Sequence, residues 1–267
     1  MVPGHRHATV SGQDPLAIRD PTTILTCALL LAITAVAWIQ VVSSMGSHSH
    51  GAMTAMPTLL AHSVAYVASW AVMMAAMMLP SALPMIALYG AIQRNAVGTG
   101  ARGVHVALFT LMYLGLWGAM GVPVYLASTL LGIVAADLLP YGVALVLLAA
   151  GAYQLSPLKQ VCLRACRSPL AFLLGRWRPG AAGSLALGWA HAVYCVGCCW
   201  ALMVVLVAAG AMGLSWVLLI AALVTAEKLL PLGEWIARLV GGALVILGLA
   251  VALRPDLVML IRHGHVM

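Results

Sequence analysis

Charge is what this sequence lacks. Only 7% of its 267 residues are charged, six acidic and thirteen basic, against 64% hydrophobic. A soluble fold carries about 25% charged residues to cover its surface, so a water-facing globular domain is excluded. Several apolar runs instead reach the roughly 20 residues needed to cross about 30 Å of hydrocarbon. The composition predicts an all-α membrane protein, a polytopic bundle embedded in a lipid bilayer. In such a chain a net charge of +7 reports the positive-inside bias and not nucleic-acid binding.

Other absences narrow the function. No G-x-x-x-x-G-K-[ST] stretch occurs, which argues against a P-loop-driven pump. The six cysteines are spread over apolar runs and short loops and do not make a secreted disulfide framework. No small-residue cleavage site follows the first apolar run, so that run reads as an anchor and not a signal peptide.

Three regions follow: a polar N-terminal tail at 1–22, a single transmembrane helical domain at 23–255, and a His-containing C-terminal tail at 256–267. Within the domain, apolar runs at 23–42, 62–79, 103–136, 141–155, 183–210, 214–230 and 237–253 predict about seven transmembrane helices, with six possible. Pro80 and Pro84 end the second run. The third is too long for one straight crossing, so Pro123 or a short re-entrant piece absorbs the excess. Lys159, Arg164, Arg167, Arg176 and Arg178 mark a basic loop whose end, 169–177, reads as a short interfacial amphipathic helix. With the N-terminus cytoplasmic, eleven of the thirteen basic residues share the inner side, as the positive-inside rule requires.

What is present is sulfur. The run Gly188-Trp-Ala-His-Ala-Val-Tyr-Cys-Val-Gly-Cys-Cys-Trp-Ala-Leu-Met203 holds three cysteines in an apolar segment. On a helix Cys195 and Cys199 share a face at i,i+4, Cys198 lies beside them, and His191 sits one turn earlier. Thiolate and thioether ligands select soft ions such as Cu(I), and a Cys₂His-type set leaves zinc open. Cys195-Val-Gly-Cys198 is also a C-x-x-C, so dithiol redox chemistry is an alternative. Met73, Met74, Met77 and Met78 occupy two adjacent stripes of the second span at a similar depth. If that span touches the fifth, these sulfurs share one metal; otherwise they fill gaps between helices.

Two further groups flank this centre. Cys162 and Cys166 lie at i,i+4 in the basic loop, where neighbouring arginines favour the thiolate and a second metal site or relay is expected. Across the membrane, a loop without formal charge carries Met45, His48, His50, Met53, Met56 and His62, suited to capture in an oxidising compartment, with His263 and His265 on the same side. Glu227 and Lys228 lie near the inner end of the sixth span. Ionisable groups at that depth are costly and point to function, unless Lys228 snorkels to the interface.

In combination, Met74-Ala-Ala-Met77-Met78-Leu-Pro80 with Pro84-Met85, Cys162-x-x-x-Cys166-Arg167-x-Pro169, Gly188 through Met203, and Glu227-Lys228-x-x-Pro231-x-Gly233 resemble a bacterial family of predicted metal-binding integral membrane proteins of uncharacterised function. The resemblance covers roughly 65–250. It implies a multi-span protein of the bacterial inner (cytoplasmic) membrane with a copper or other soft-metal role. Three functions remain in view. One is Cu(I) binding for delivery or transport, with a copper carrier or metalloenzyme as client. The others are a membrane thiol-disulfide oxidoreductase and a structural subunit of a membrane complex.

Overall fold

The computed structural model describes residues 21–47, 59–96, 98–131, 138–208 and 213–258. His48, His50, Met53, Met56, His263 and His265 lie outside the described residues. The regular elements are helices throughout: α1 Pro21–Ser47, α2 Leu59–Ala96, α3 Thr99–Ala119, α4 Gly121–Leu131, α5 Leu139–Leu155, α6 Pro157–Arg167, α7 Pro169–Gly175, α8 Gly180–Ala208, α9 Leu214–Leu229 and α10 Gly233–Leu253.

Five helical segments are long and apolar enough to cross a bilayer. A sixth is added if α5 and α6, bent by 62°, are one broken span. The expected count of about seven is not supported by these lengths. Helix α9 has 16 residues, about 24 Å at 1.5 Å per residue, short of the roughly 30 Å of hydrocarbon. The outward faces of α1 and α10 carry exposed Leu25, Ile39, Leu239, Ile246 and Leu253, a surface suited to hydrocarbon and not to water.

One expectation about a break changes. Helix α2 runs through Pro80 and Pro84 without ending, for 38 residues. Each proline removes one helical N–H, and hydroxyls service the turn around them. Ser81 Oγ donates to the Met78 carbonyl at 3.0 Å and Tyr113 OH donates to the same oxygen at 3.5 Å. The long third run divides at Met120 into α3 and α4, with Pro123 in the first turn of α4, where proline fits.

The basic segment is helix, not loop. Ser156 caps α6 by accepting from the Lys159 amide at 3.3 Å, Pro157 fills the first turn, and Arg164 and Arg167 occupy the last. Each choice suits its position, the arginines by complementing the helix dipole. The helix turns back into the bundle and buries Lys159, Gln160 and Leu163. The short helix expected near 169–177 is α7, which buries Phe172 and Leu173.

Helix α8 is the axis of the fold, packed against α3, α5, α6 and α9. Its closest approach to α3 is at Gly188, where a Cβ would stand 2.5 Å from the Phe109 carbonyl oxygen; small residues let helices meet at this range. Gly188→Val is therefore expected to cost about 1–3 kcal/mol by overpacking, read as a lower melting temperature of the detergent-purified chain. An unchanged melt would show that α3 and α8 separate there freely.

The helices do not all reach the same depth. Tyr153, near the end of α5, donates to the Gly197 carbonyl, and Lys228, near the end of α9, reaches Cys195. Both helices therefore stop level with the middle of α8, while α2, α3 and α8 continue together. Beyond that level Tyr89 OH donates to Ser184 Oγ at 2.8 Å and His105 Nδ1 lies 2.7 Å from the same oxygen. The cysteines thus sit at the floor of the α5/α9 layer, where α6 inserts.

Candidate metal centre

Helix α8 buries one stripe containing His191, Cys195, Cys198 and Cys199. The three sulfurs all lie within 4.8 Å of one another. Cys198 and Cys199 donate back to the Cys195 carbonyl at 3.1 and 2.9 Å, which satisfies both thiols locally. The Cys195 sulfur also has partners on other helices. Lys228 Nζ donates to it at 2.9 Å and Tyr113 OH lies 3.2 Å away. Lys228 also donates to Ser81 Oγ at 3.2 Å, so α2, α3, α8 and α9 converge on one thiol.

A fourth thiol comes from α6. Cys166 Sγ lies 3.9 Å from Cys198 Sγ. Cys162 Sγ rests against Gly197, where a Cβ would stand 2.7 Å from it. The Cys162/Cys166 pair therefore flanks the central cluster. Nor do the nearby arginines serve these thiols. Arg164 pairs with Glu234 at 2.8 and 3.1 Å, while Arg167 donates to the carbonyls of Glu227 at 3.2 Å and Pro231 at 2.8 Å. Arg167 thereby closes the carboxyl end of α9. A Cβ on Gly233 would collide with both Arg167 and the Glu227 carbonyl, which accounts physically for glycine in the Glu227–Gly233 motif.

His191 stands apart from the thiol group. Its ring stacks on Tyr113 and Phe109 with centroids 5.1 and 5.8 Å away, and Phe172 meets it edge-on at 5.8 Å. Neither ring nitrogen has a hydrogen-bond partner among the described residues. Met74, Met77 and Met78 are fully buried and Met73 nearly so. Helix α2 joins the cluster through Ser81 and through the Met78 carbonyl, with Tyr113 and Lys228 as the bridges. Met77 borders a different cavity of about 540 Å³, shared with Trp38, Pro80 and Leu218.

Lys228 does not snorkel. It is buried and aimed at Cys195, while Glu227 is paired elsewhere, with Lys159 at 2.6 Å. Gln154 completes that group, donating to Glu227 at 3.1 Å and accepting from Lys159. Gln154, Lys159, Ser81 and Tyr113 escape a sequence reading. One signal was available: neighbours on a helix point apart, so Glu227 and Lys228 each need a separate partner.

Charge bookkeeping then singles out Lys228. The Lys159–Glu227 pair is neutral, and no carboxylate pairs with Lys228 among the described residues. A buried ammonium therefore faces three thiols, a setting that favours an anion such as a thiolate or a thiolate–metal complex. The spacing suits a soft ion as well. A metal about 2.3 Å from each of three sulfurs needs a triangle about 4 Å on a side, within reach of the observed separations.

The copper chaperone family PpoB2 matches residues 67–251. The chain belongs to this copper chaperone family. The matched span contains the whole sulfur cluster, both buried lysines and the Glu227–Gly233 turn, and nearly coincides with the range covered by the motifs. The Met/His loop lies outside the part shared with the copper chaperones. No curated protein and no solved structure matches the chain.

Proposed function

We propose that the chain binds Cu(I) as cargo at Cys195, Cys198 and Cys199 within a membrane and passes it on through Cys166 and Cys162. The observation that carries this reading is the unpaired Lys228 ammonium on Cys195, inside a group of three thiols. Two thiolates and one Cu(I) carry a single negative charge, which Lys228 balances. Low coordination suits Cu(I) here and needs no histidine, whereas a Cys₂His zinc site would require His191 to leave its aromatic slot.

Cys166 then acts as the exit. It is near enough to Cys198 for ligand exchange, and Cys162 follows one turn away on α6. The receiving partner is a cytosolic copper carrier or a metalloenzyme client. The Arg-rich α6–α7 segment faces the cytoplasm of a bacterial inner membrane, as its basic residues favour, with the N-terminus on the same side. The family name supports copper handling, and the apolar outer faces of α1 and α10 support the bilayer.

The test is the metal content of detergent-purified protein, wild type against Cys195→Ser/Cys198→Ser/Cys199→Ser, after loading with Cu(I) under reducing conditions. Stoichiometric copper in the wild type and its loss in the triple variant are expected. Absence of copper from the wild type, with a redox-active disulfide among these cysteines, would overturn the reading in favour of a thiol-disulfide oxidoreductase.

A further inference from the structure

Soft donors on α8 extend beyond the thiols. His191, Cys195, Cys199 and Met203 follow at four-residue intervals, and all four are buried. Four residues advance about 6 Å and return to nearly the same face. Met203 therefore stands one turn past Cys199, toward the end of α8 remote from α7.

Met203 also lines a cavity of about 220 Å³, together with Met120, Trp70, Trp117 and Trp200. Among the described residues no charged or hydroxyl-bearing side chain lines this space. On α8 Met203 lies one turn from Cys199, and on α3 Trp117 lies one turn from Tyr113, which touches Cys195. Two methionines and three tryptophans thus line a space that begins one helical turn from Cys199.

We propose that Met120 and Met203 form a thioether station for Cu(I) that loads the cysteine cluster one turn away. The proposal rests on the reading of that cluster as a Cu(I) site. A hard cation finds no side-chain oxygen among the described residues lining this chamber, whereas thioethers select soft ions. A thioether is neutral and has no proton to lose, so it takes the ion as it arrives. It also leaves the positive charge uncompensated, except for the attraction of the indole π systems. The thiols next door bind as anions and become the stronger ligands. Affinity therefore rises from Met203 toward Cys199, and the ion moves that way. An acyl chain filling the same apolar space is the competing occupant, and Met→Leu substitutions distinguish the two because they remove sulfur while nearly conserving volume.

The experiment uses the full chain in detergent and Cu(I) delivered from a chelate buffer, with tryptophan emission as the signal. In the Cys195→Ser/Cys198→Ser/Cys199→Ser background, Cu(I) is expected to quench emission saturably. Adding Met120→Leu/Met203→Leu is expected to abolish this quenching or weaken its midpoint by about tenfold or more. Quenching that is absent, or unmoved by the Met→Leu pair, overturns the station. A second measurement keeps the cysteines intact: the ultraviolet absorbance of Cu(I)–thiolate bonds is expected to grow several-fold more slowly in Met120→Leu/Met203→Leu. An undiminished rate also overturns the station. A wild-type chain that retains no Cu(I) sinks the cluster reading itself, so the two failures are distinguishable.

Discussion

Glu227→Ala is expected to lower the stability of the fold by about 3–5 kcal/mol, the cost of stranding one member of a buried ion pair. Lys159 is fully buried and its ammonium lies 2.6 Å from the Glu227 carboxylate. Gln154 alone cannot neutralise that charge. Lys159→Met should cost a similar amount, for it leaves a buried carboxylate with only Gln154 and no counter-ion. The double variant Glu227→Gln/Lys159→Met removes both charges and keeps side-chain volume, so most of the loss should return, since apolar replacements of whole buried pairs are often neutral or better. Thermal melts of the three detergent-purified variants check this. Additive losses in the double variant would show that the pair is not one energetic unit. The pair does more than neutralise itself: it ties α6 to α9, and α6 carries Cys162 and Cys166 to the cluster. Glu227→Ala is therefore also expected to loosen the fourth thiol.

The parts of this fold that were legible are those that depend on neighbours in sequence. The all-helical class follows from composition. The α8 stripe follows from helical spacing, because Cys195, Cys198 and Cys199 need only one helix to come together. Cys166 needs more. It reaches Cys198 because α6 folds back after Ser156, and nothing in a run of Lys, Gln, Arg and Cys says that such a helix inserts. Lys159 reads as one residue of a basic loop, yet its partner Glu227 lies 68 residues away. Pro80 and Pro84 carry a strong stop signal, yet α2 runs through both. His191 has the right spacing for a ligand but stacks among Phe109, Tyr113 and Phe172, because burial among aromatic rings depends on two other helices, α3 and α7. The expected crossing count of about seven, with six possible, meets five apolar spans among the described residues, or six with α5 and α6 as one; α9 is short because it needs only to reach the floor of its layer, where Arg167 closes it.

Lys228→Met is the substitution expected to separate charge from ligation at the cluster. Methionine keeps nearly the length and the apolar stem of lysine, so packing of this buried side chain changes little, while the ammonium is lost. The hydrogen bond from Lys228 to the Cys195 sulfur is charge-assisted once that sulfur is a thiolate, and such bonds contribute about 1.5–3 kcal/mol. Cu(I) affinity is therefore expected to fall by about 10- to 150-fold, measured by competition with a Cu(I) chelator. Ser81→Ala removes the other contact of Lys228, at 3.2 Å, and leaves the charge in place, so it should weaken binding much less. Lys228→Arg keeps the charge but spreads it over a wider planar group, and an intermediate loss follows. The order Met, then Arg, then Ala at Ser81 is the signature of charge compensation. If Lys228→Met binds Cu(I) as tightly as the wild type, the ammonium serves packing alone, and balance of the thiolate charge must come from elsewhere in the bundle.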